Sequence, residues 1–173
     1  MEKAIKENGH LVINADDKIL INNNFNKSNI STFQNTDIHL LEVDLESILL
    51  IGKHNYSNIS AAICISELYN ISEETIKESI IGFNPLPNRL EFLSNIKGAK
   101  VYNDSKATNI KSMLMAIESI ENNIILIVGG YDKGETDFTS VFDKYINKIN
   151  FISCYGRSGE KICKQISNKI DSG

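Results

Sequence analysis

From residue 90 onward, short apolar runs alternate with stretches of helical periodicity, and this alternation leaves few folds open. Leu90 to Ile96 and Lys100 to Tyr102 read as strands. Ile110, Met113, Leu114, Ile117 and Ile120 then recur at helical spacing. Ile124 to Val128 reads as a buried strand closed by Gly129-Gly130, and Phe138, Val141, Phe142, Tyr145 and Ile146 mark the next helix. Asn150 to Cys154 is a further strand, and Ile162, Ile166 and Ile170 mark the last helix. Strands joined through helices pair in parallel with right-handed crossovers, so the predicted fold class is α/β with a mostly parallel sheet.

The part before this alternation is organised differently. His10 to Asn14 has the pattern of a short buried strand, with Ala15-Asp16-Asp17 as its turn. Lys18 to Ile21 and Ile38 to Val43 read as further strands, and the Asn- and Ser-rich Asn22 to Asn35 as loop. Asn58 to Tyr69 is apolar on most faces and reads as a buried helix. Ser72 is a suitable cap for the next helix, with Glu73 and Glu74 at its positive end. Ile71 and Ile76 are spaced as a hydrophobic staple, and Gly82 is the stop. Phe83-Asn84-Pro85-Leu86-Pro87 holds both prolines of the chain. It is taken as the boundary between a domain at 1–84 and a second at 85–173.

Composition removes several functional classes. A net charge of -4 provides no basic field for nucleic acid, and the absence of Trp argues against a base-stacking surface. The longest apolar run, Ile124 to Val128, is too short to span a bilayer, and the polar N-terminus does not read as a signal peptide. Cys64, Cys154 and Cys163 lack metal-like spacing; an odd number without a secretion signal fits a reducing cytoplasm, with the thiols as small core residues.

Ligands of a parallel sheet sit at the carboxyl ends of its strands, so the residues following each strand are the candidates. After Tyr102 comes Asn103-Asp104-Ser105-Lys106-Ala107-Thr108-Asn109, which puts an acid, a base, two hydroxyls and two amides before a helix start. Asp104 suits a ribose hydroxyl or a metal, Lys106 a phosphate oxygen, and Thr108 a carboxylate while helping to cap the helix. A polar capping loop is the bland alternative, since these residues favour such turns anyway. After Val128 comes Gly129-Gly130-Tyr131-Asp132-Lys133-Gly134. Here glycine permits close backbone approach to a ligand and Lys133 supplies a cation. Arg157 follows Cys154. Neither G-x-x-x-x-G-K-[ST] nor G-x-G-x-x-G occurs in the chain, which weakens a dinucleotide-binding reading. Earlier, Asn55 and Asn58 are three apart at a helix start, and each amide offers donor and acceptor to an adenine edge. Arg89 places a guanidinium just past the boundary, where it suits a phosphate.

Val12 to Asp17, Gly52 to Asn58, Leu86 to Glu91, Asn103 to Asn109, Gly129 to Phe138 and Cys154 to Gly159 together resemble segments of the Mur ligases of peptidoglycan synthesis, in that family's order. The resemblance is closest to the branch that adds D-glutamate, and Asn103 to Asn109 separates that branch best. It implies that 1–84 is the end of the central ATPase domain and that 85–173 is most of a Rossmann-like C-terminal domain for the incoming amino acid. The implied reaction uses ATP and Mg2+ to phosphorylate the carboxylate of UDP-N-acetylmuramoyl-L-alanine, after which the amine of D-glutamate attacks the acyl phosphate. The implied roles are Asn55 and Asn58 on adenine, Arg89 on the phosphates and Asp104 on the ribose. Lys106 would lie near the phosphates or the tetrahedral intermediate, and Thr108 and Lys133 on the α-carboxylate of D-glutamate.

Departures from the pattern are the missing phosphate loop with the magnesium-binding acid and histidine after it, and Asn88 where a histidine is expected. No residue is assigned to the family's carbamylated lysine. The expectation is therefore a small-molecule enzyme segment that needs the N-terminal part of a ligase and is inactive alone. The alternatives are a non-catalytic nucleotide- or partner-binding module derived from such a ligase, and another superfamily ligase such as a folylpolyglutamate synthase.

Overall fold

A computed structural model describes residues 9–23, 25, 29–131 and 137–170. The chain divides into two compact units, Met1–Pro85 and Leu86–Gly173.

In the first unit, β1 (His10–Asn14) pairs in parallel with β2 (Asn29–Phe33), in a register that sets Val12 opposite Ser31. The strand β2 lies inside the segment expected to be loop; Ile30 to Phe33 has enough β-forming character to pair despite its Asn-rich surroundings. Lys18–Ile21 is a short helix, α1, and not a strand, because the Asp17 side chain caps it by accepting from the Ile19 and Leu20 N–H groups. Asp37–Leu41 forms a 3-10 turn where a strand was expected at Ile38 to Val43. Its two buried residues, Ile38 and Leu41, are three apart, which a turn of this type puts on one side and a strand does not.

Helix α2 (Lys53–Leu68) begins earlier than its apolar stretch, and α3 (Glu73–Ile81) follows. The Ser72 hydroxyl caps α3 through the Thr75 N–H, and Glu73 pairs with Lys77 at 2.6 Å. Ile71 is exposed, so the expected staple leaves only Ile76 in the core. That core joins Ile38, Leu41, Ile48, Ile59, Ile63 and Ile76. At its centre Ser60 is fully buried, and its hydroxyl accepts from the Ile38 N–H at 3.2 Å. The hydroxyl meets a donor that would otherwise be orphaned.

In the second unit, β3 (Glu91–Ile96) and β4 (Ala99–Asn103) form an antiparallel hairpin, a pair whose direction the apolar pattern left open. The reason is the link. Lys97 and Gly98 both have positive φ, the requirement of a tight hairpin turn, and two residues cannot carry a crossover. A bulge falls between Phe92 and Ser94. Beyond it, α4 (Ile110–Ser119), β5 (Ile124–Gly130), α5 (Thr139–Tyr145), β6 (Ile149–Gly156) and α6 (Gly159–Ile170) follow, and β5 and β6 pair in parallel. Ile117, Phe142, Ile162 and Ile166 form the centre of the core, with Leu126, Val128, Ile152 and Cys154 packed on it from the sheet. The other face differs from the expected buried strand: Ile125 and Ile127 are 65% and 70% exposed. Alternation along the strand turns them away from the cluster that packs the opposite face.

Candidate functional site

The best-ordered candidate in the second unit is the loop between β4 and α4 together with the turn before β3. The Asn103 amide donates to Asn88 Oδ1 at 2.8 Å, and the Ser105 hydroxyl donates to the same oxygen at 3.3 Å. The Lys106 N–H donates to the Asn88 carbonyl at 3.1 Å. In the other direction, Asp104 Oδ1 accepts from the Leu90 N–H at 3.0 Å. Asn88 and Leu90 both have positive φ, and the Asn88 N–H donates to Glu91 Oε2 at 2.8 Å. Asn tolerates the left-handed region better than most residues, which suits it to this corner. Four hydrogen bonds thus join Asn88 and Leu90 to the loop, and the side chains of Arg89 and Lys106 are exposed beside that joint.

The helix cap differs from expectation. Asn109, not Thr108, caps α4 by accepting from the Ser112 N–H at 2.9 Å. Thr108 is exposed. A side chain one position earlier would have to fold back to reach that donor, and an amide at the cap position reaches it directly. The far end of α4 is closed by Lys148, whose ammonium donates to the Glu118 and Ile120 carbonyls at 3.3 and 2.7 Å.

At the carboxyl ends of β5 and β6, Gly129 and Gly156 serve strand packing. A Cβ on Gly129 would lie 1.9 Å from the Tyr155 carbonyl oxygen, so only glycine lets the two backbones meet there. That close approach is made by Gly129 to the neighbouring strand, whereas a Cβ on Gly130 would meet nothing within 4 Å. The buried Ser158 donates to the Gly130 carbonyl through its N–H and its hydroxyl, at 3.1 and 3.2 Å. Arg157 lies over the Tyr131 ring at 5.7 Å, a cation–π contact in place of a free guanidinium. Lys133, expected on a carboxylate, lies outside the described residues.

In the first unit, Gly52 precedes α2 without a side-chain cap. The Asn55 amide donates to the Ile51 carbonyl at 2.7 Å, and the Asn58 amide donates to Asn55 Oδ1 at 3.2 Å. The two are chained, with Asn55 anchored to the backbone and Asn58 outermost and exposed. A pocket of about 430 Å³ opens nearby between the residues after β2 and the first turns of α2, lined by His39, Lys53, His54 and Tyr56 among others. Neither Asn55 nor Asn58 lines it.

The Asn14 to Asp17 segment is structural. The Asn14 amide donates to Asn35 and Ser57, Asp16 accepts from the Asn35 N–H at 2.7 Å, and Asp17 caps α1. Sequence reasoning named Asn88 and Asn103 but did not assign their organising roles. Their signal was present in the corner-forming Pro87-Asn88 pair and in an amide at a strand end.

Burial pushes the Cys154 thiol up to about 11, helped by its hydrogen bond with Cys163. Cys64 is also raised, by burial first and then by Glu67 and Asp37. Among the described residues no three His, Cys, Asp or Glu side chains are grouped to hold a metal ion, and no helix is long and apolar enough to cross a membrane.

No family model matches the sequence. Similarity to curated proteins is clear nonetheless. The UDP-N-acetylmuramoylalanine–D-glutamate ligase of Porphyromonas gingivalis is 37% identical over 128 residues, covering 74% of this chain and 28% of that protein. The enzyme of the same name from a Thermoanaerobacter species is 32% identical over 160 residues, covering 92% of this chain and 32% of that protein. The chain thus spans about a third of the length of these relatives. Among solved structures, MurF from Acinetobacter baumannii superposes with a TM-score of 0.59 at 13% identity, over 96% of this chain and 47% of that one. MurF from Thermotoga maritima, solved in complex with ADP, gives 0.56 at 15% identity, over 95% and 48%. The α/β architecture is that of these ligases, and with identities of 30–37% to curated D-glutamate ligases the chain belongs to the Mur ligase family.

Proposed function

We propose that this chain supplies the adenine-, ribose- and amino-acid-contacting groups of a ligase that adds D-glutamate to UDP-N-acetylmuramoyl-L-alanine in peptidoglycan synthesis. The observation that carries the reading is the joint between Asn88–Leu90 and Asn103–Lys106, in a chain 37% identical to a D-glutamate ligase. Residues 1–84 are read as the end of the central domain and 85–173 as most of the C-terminal one.

The groups present fit a nucleotide. Asp104 holds the Leu90 N–H with one oxygen, and its other oxygen can accept from a ribose hydroxyl. Arg89 and Lys106 are both exposed, one beside Asn88 in the chain and the other in the loop it binds, and two such cations attract phosphate oxygens. Lys106 would hold negative charge as it builds on the tetrahedral carbon. Thr108 is free of capping duty, so its hydroxyl can meet the α-carboxylate of D-glutamate together with Lys133. In the first unit Asn58 faces outward to meet the adenine edge, held by Asn55. ATP supplies the phosphoryl group that activates the carboxylate, and Mg2+, when bound, offsets phosphate charge. The described residues offer that ion no cluster of ligands, and none is assigned to it.

D-glutamate titrated into the 173-residue protein should shift the backbone amides of Lys106 and Thr108 in NMR spectra, and L-glutamate should not. A response to L-glutamate and not to D-glutamate would favour a folylpolyglutamate-synthase-like ligase, and equal responses to both or none to either would sink the D-glutamate role. These residues also contain no phosphate loop. Mixed with ATP, Mg2+, UDP-N-acetylmuramoyl-L-alanine and D-glutamate, they should release no phosphate. Clear turnover would overturn that part of the proposal.

A further inference from the structure

Two of the cysteines, Cys154 and Cys163, lie on adjacent elements of the second unit. Cys154 is on β6 with its side chain on the helix-covered face, packed against the core of the second unit. Helix α6 begins in backbone contact with it: a Cβ on Gly159 would lie 3.3 Å from the Cys154 carbonyl carbon and 3.8 Å from its Cβ. Cys163 is one helical turn beyond Gly159, on the same side of α6, and helical side chains lean back toward the N-terminus. The Cys163 side chain therefore returns toward Cys154, from the turn of α6 that lies against the Cys154 backbone. Their exposure differs: Cys154 is half-buried and Cys163 exposed. The remaining thiol, Cys64, is in the first unit, next to the Thr32 carbonyl at 4.0 Å.

From this geometry we infer that Cys154 and Cys163 form a site of reversible oxidation, in which a peroxide converts the pair into a disulfide tying α6 to β6. The exposed Cys163 is the sulfur a peroxide reaches. Its thiolate attacks one peroxide oxygen; an S–O bond forms, the O–O bond breaks, and the departing oxygen leaves as water after taking a proton. Cys154 then attacks the Cys163 sulfenic sulfur, and hydroxide leaves with the Cys154 proton as a second water. Two thiols are oxidised and one peroxide is reduced. A dithiol reverses the change. The bridge would span the turn that carries Arg157 and Ser158, and so fix the carboxyl end of β6 beside Gly130. Burial holds the Cys154 thiol above its ordinary range, so the closing step speeds up as the pH rises.

The test is thiol counting on the intact protein. Treatment with hydrogen peroxide, followed by denaturation and N-ethylmaleimide, should reduce the labelled thiols from three to one, and dithiothreitol should restore three. A digest without reductant should contain one linked pair of peptides, carrying Cys154 and Cys163. The C64S variant should go from two labelled thiols to none. The C163S variant, altered only at an exposed position, should keep two labelled thiols at the same dose and give no linked peptide. Native chain that keeps three thiols at a dose that oxidises free cysteine would overturn the proposal. So would sulfinic acid on Cys163 with Cys154 unmodified, or a link from Cys163 to Cys64 or to a second molecule.

Discussion

The groups proposed to meet the nucleotide are held in two different ways. In the first unit Asn55 and Asn58 ride on α2, and the helix backbone fixes their spacing whatever their side chains do. In the second unit Asp104, Lys106 and Thr108 sit on a loop without regular structure. Their places depend on a few side-chain bonds, chiefly from Asn88 and Asn103. A helix-borne site tolerates loss of one amide. A loop-borne site loses its shape when its organiser goes, so residues that touch no ligand can matter there as much as those that do.

The sharpest way to break this contrast is at Asn88. In N88A two hydrogen bonds to Oδ1 vanish and a left-handed residue gains a less tolerant side chain. At roughly 1 kcal/mol for each bond and about 1 for the backbone, local stability should fall by about 2–3 kcal/mol. Native-state hydrogen exchange of the Lys106 amide, which donates to the Asn88 carbonyl, should speed up by roughly 30-fold or more. N88G keeps the backbone freedom and should recover about a third of the loss. An N88A protein with unchanged exchange would show that the loop holds itself. The next effect is at Asp104. D104N keeps an acceptor for the Leu90 N–H but loses the charge, so the same measurement at Leu90 should change by about 1 kcal/mol. Ribose contact, under the proposed function, should fall further than that local loss accounts for.

The sequence displayed these regions unequally. Helical periodicity located α4 and α6 because their buried stripes, such as Ile162 with Ile166, recur every turn. The same logic misread Ile38 to Val43, because a 3-10 turn with two buried residues has no period long enough to recognise. Lys18 to Ile21 was misread because its apolar residues are mostly exposed and its conformation is set by one cap, Asp17. The hairpin at Lys97-Gly98 was visible as strands but not as a pairing direction, since apolar pattern carries none. For the candidate site, residue type pointed at Asp104 and Lys106, but not at the hydrogen bonds from Asn88 that position the loop around them. Those bonds run across 15 and 17 residues, beyond any local pattern.

The helix side of the contrast is sharpened at Asn55. N55A removes the donor to the Ile51 carbonyl and the acceptor that holds Asn58. Half-buried bonds of this kind contribute about 1 kcal/mol, so the urea midpoint of the first unit should drop modestly and α2 should persist by circular dichroism. Loss of the helix signal would mean that the start of α2, which Gly52 leaves uncapped, depends on this single amide.

Asn58 should have the smallest effect of all on stability, and for that reason it separates holding from binding most cleanly. Its side chain is exposed, and among the described residues it bonds to Asn55. Alanine is also the better helix former, by up to about 0.7 kcal/mol, which offsets the lost bond. The N58A protein should therefore unfold within about 0.5 kcal/mol of the parent. If adenine meets the outward amide, binding of an adenine nucleotide to N58A should weaken about 10-fold, as expected for one good hydrogen-bonded edge at about 1.4 kcal/mol. An inosine nucleotide, which carries a carbonyl where adenine has its amino group, should bind the parent as poorly as the adenine nucleotide binds the variant. Equal affinity of parent and N58A for the adenine nucleotide would leave α2 as a well-held helix whose amides read no base.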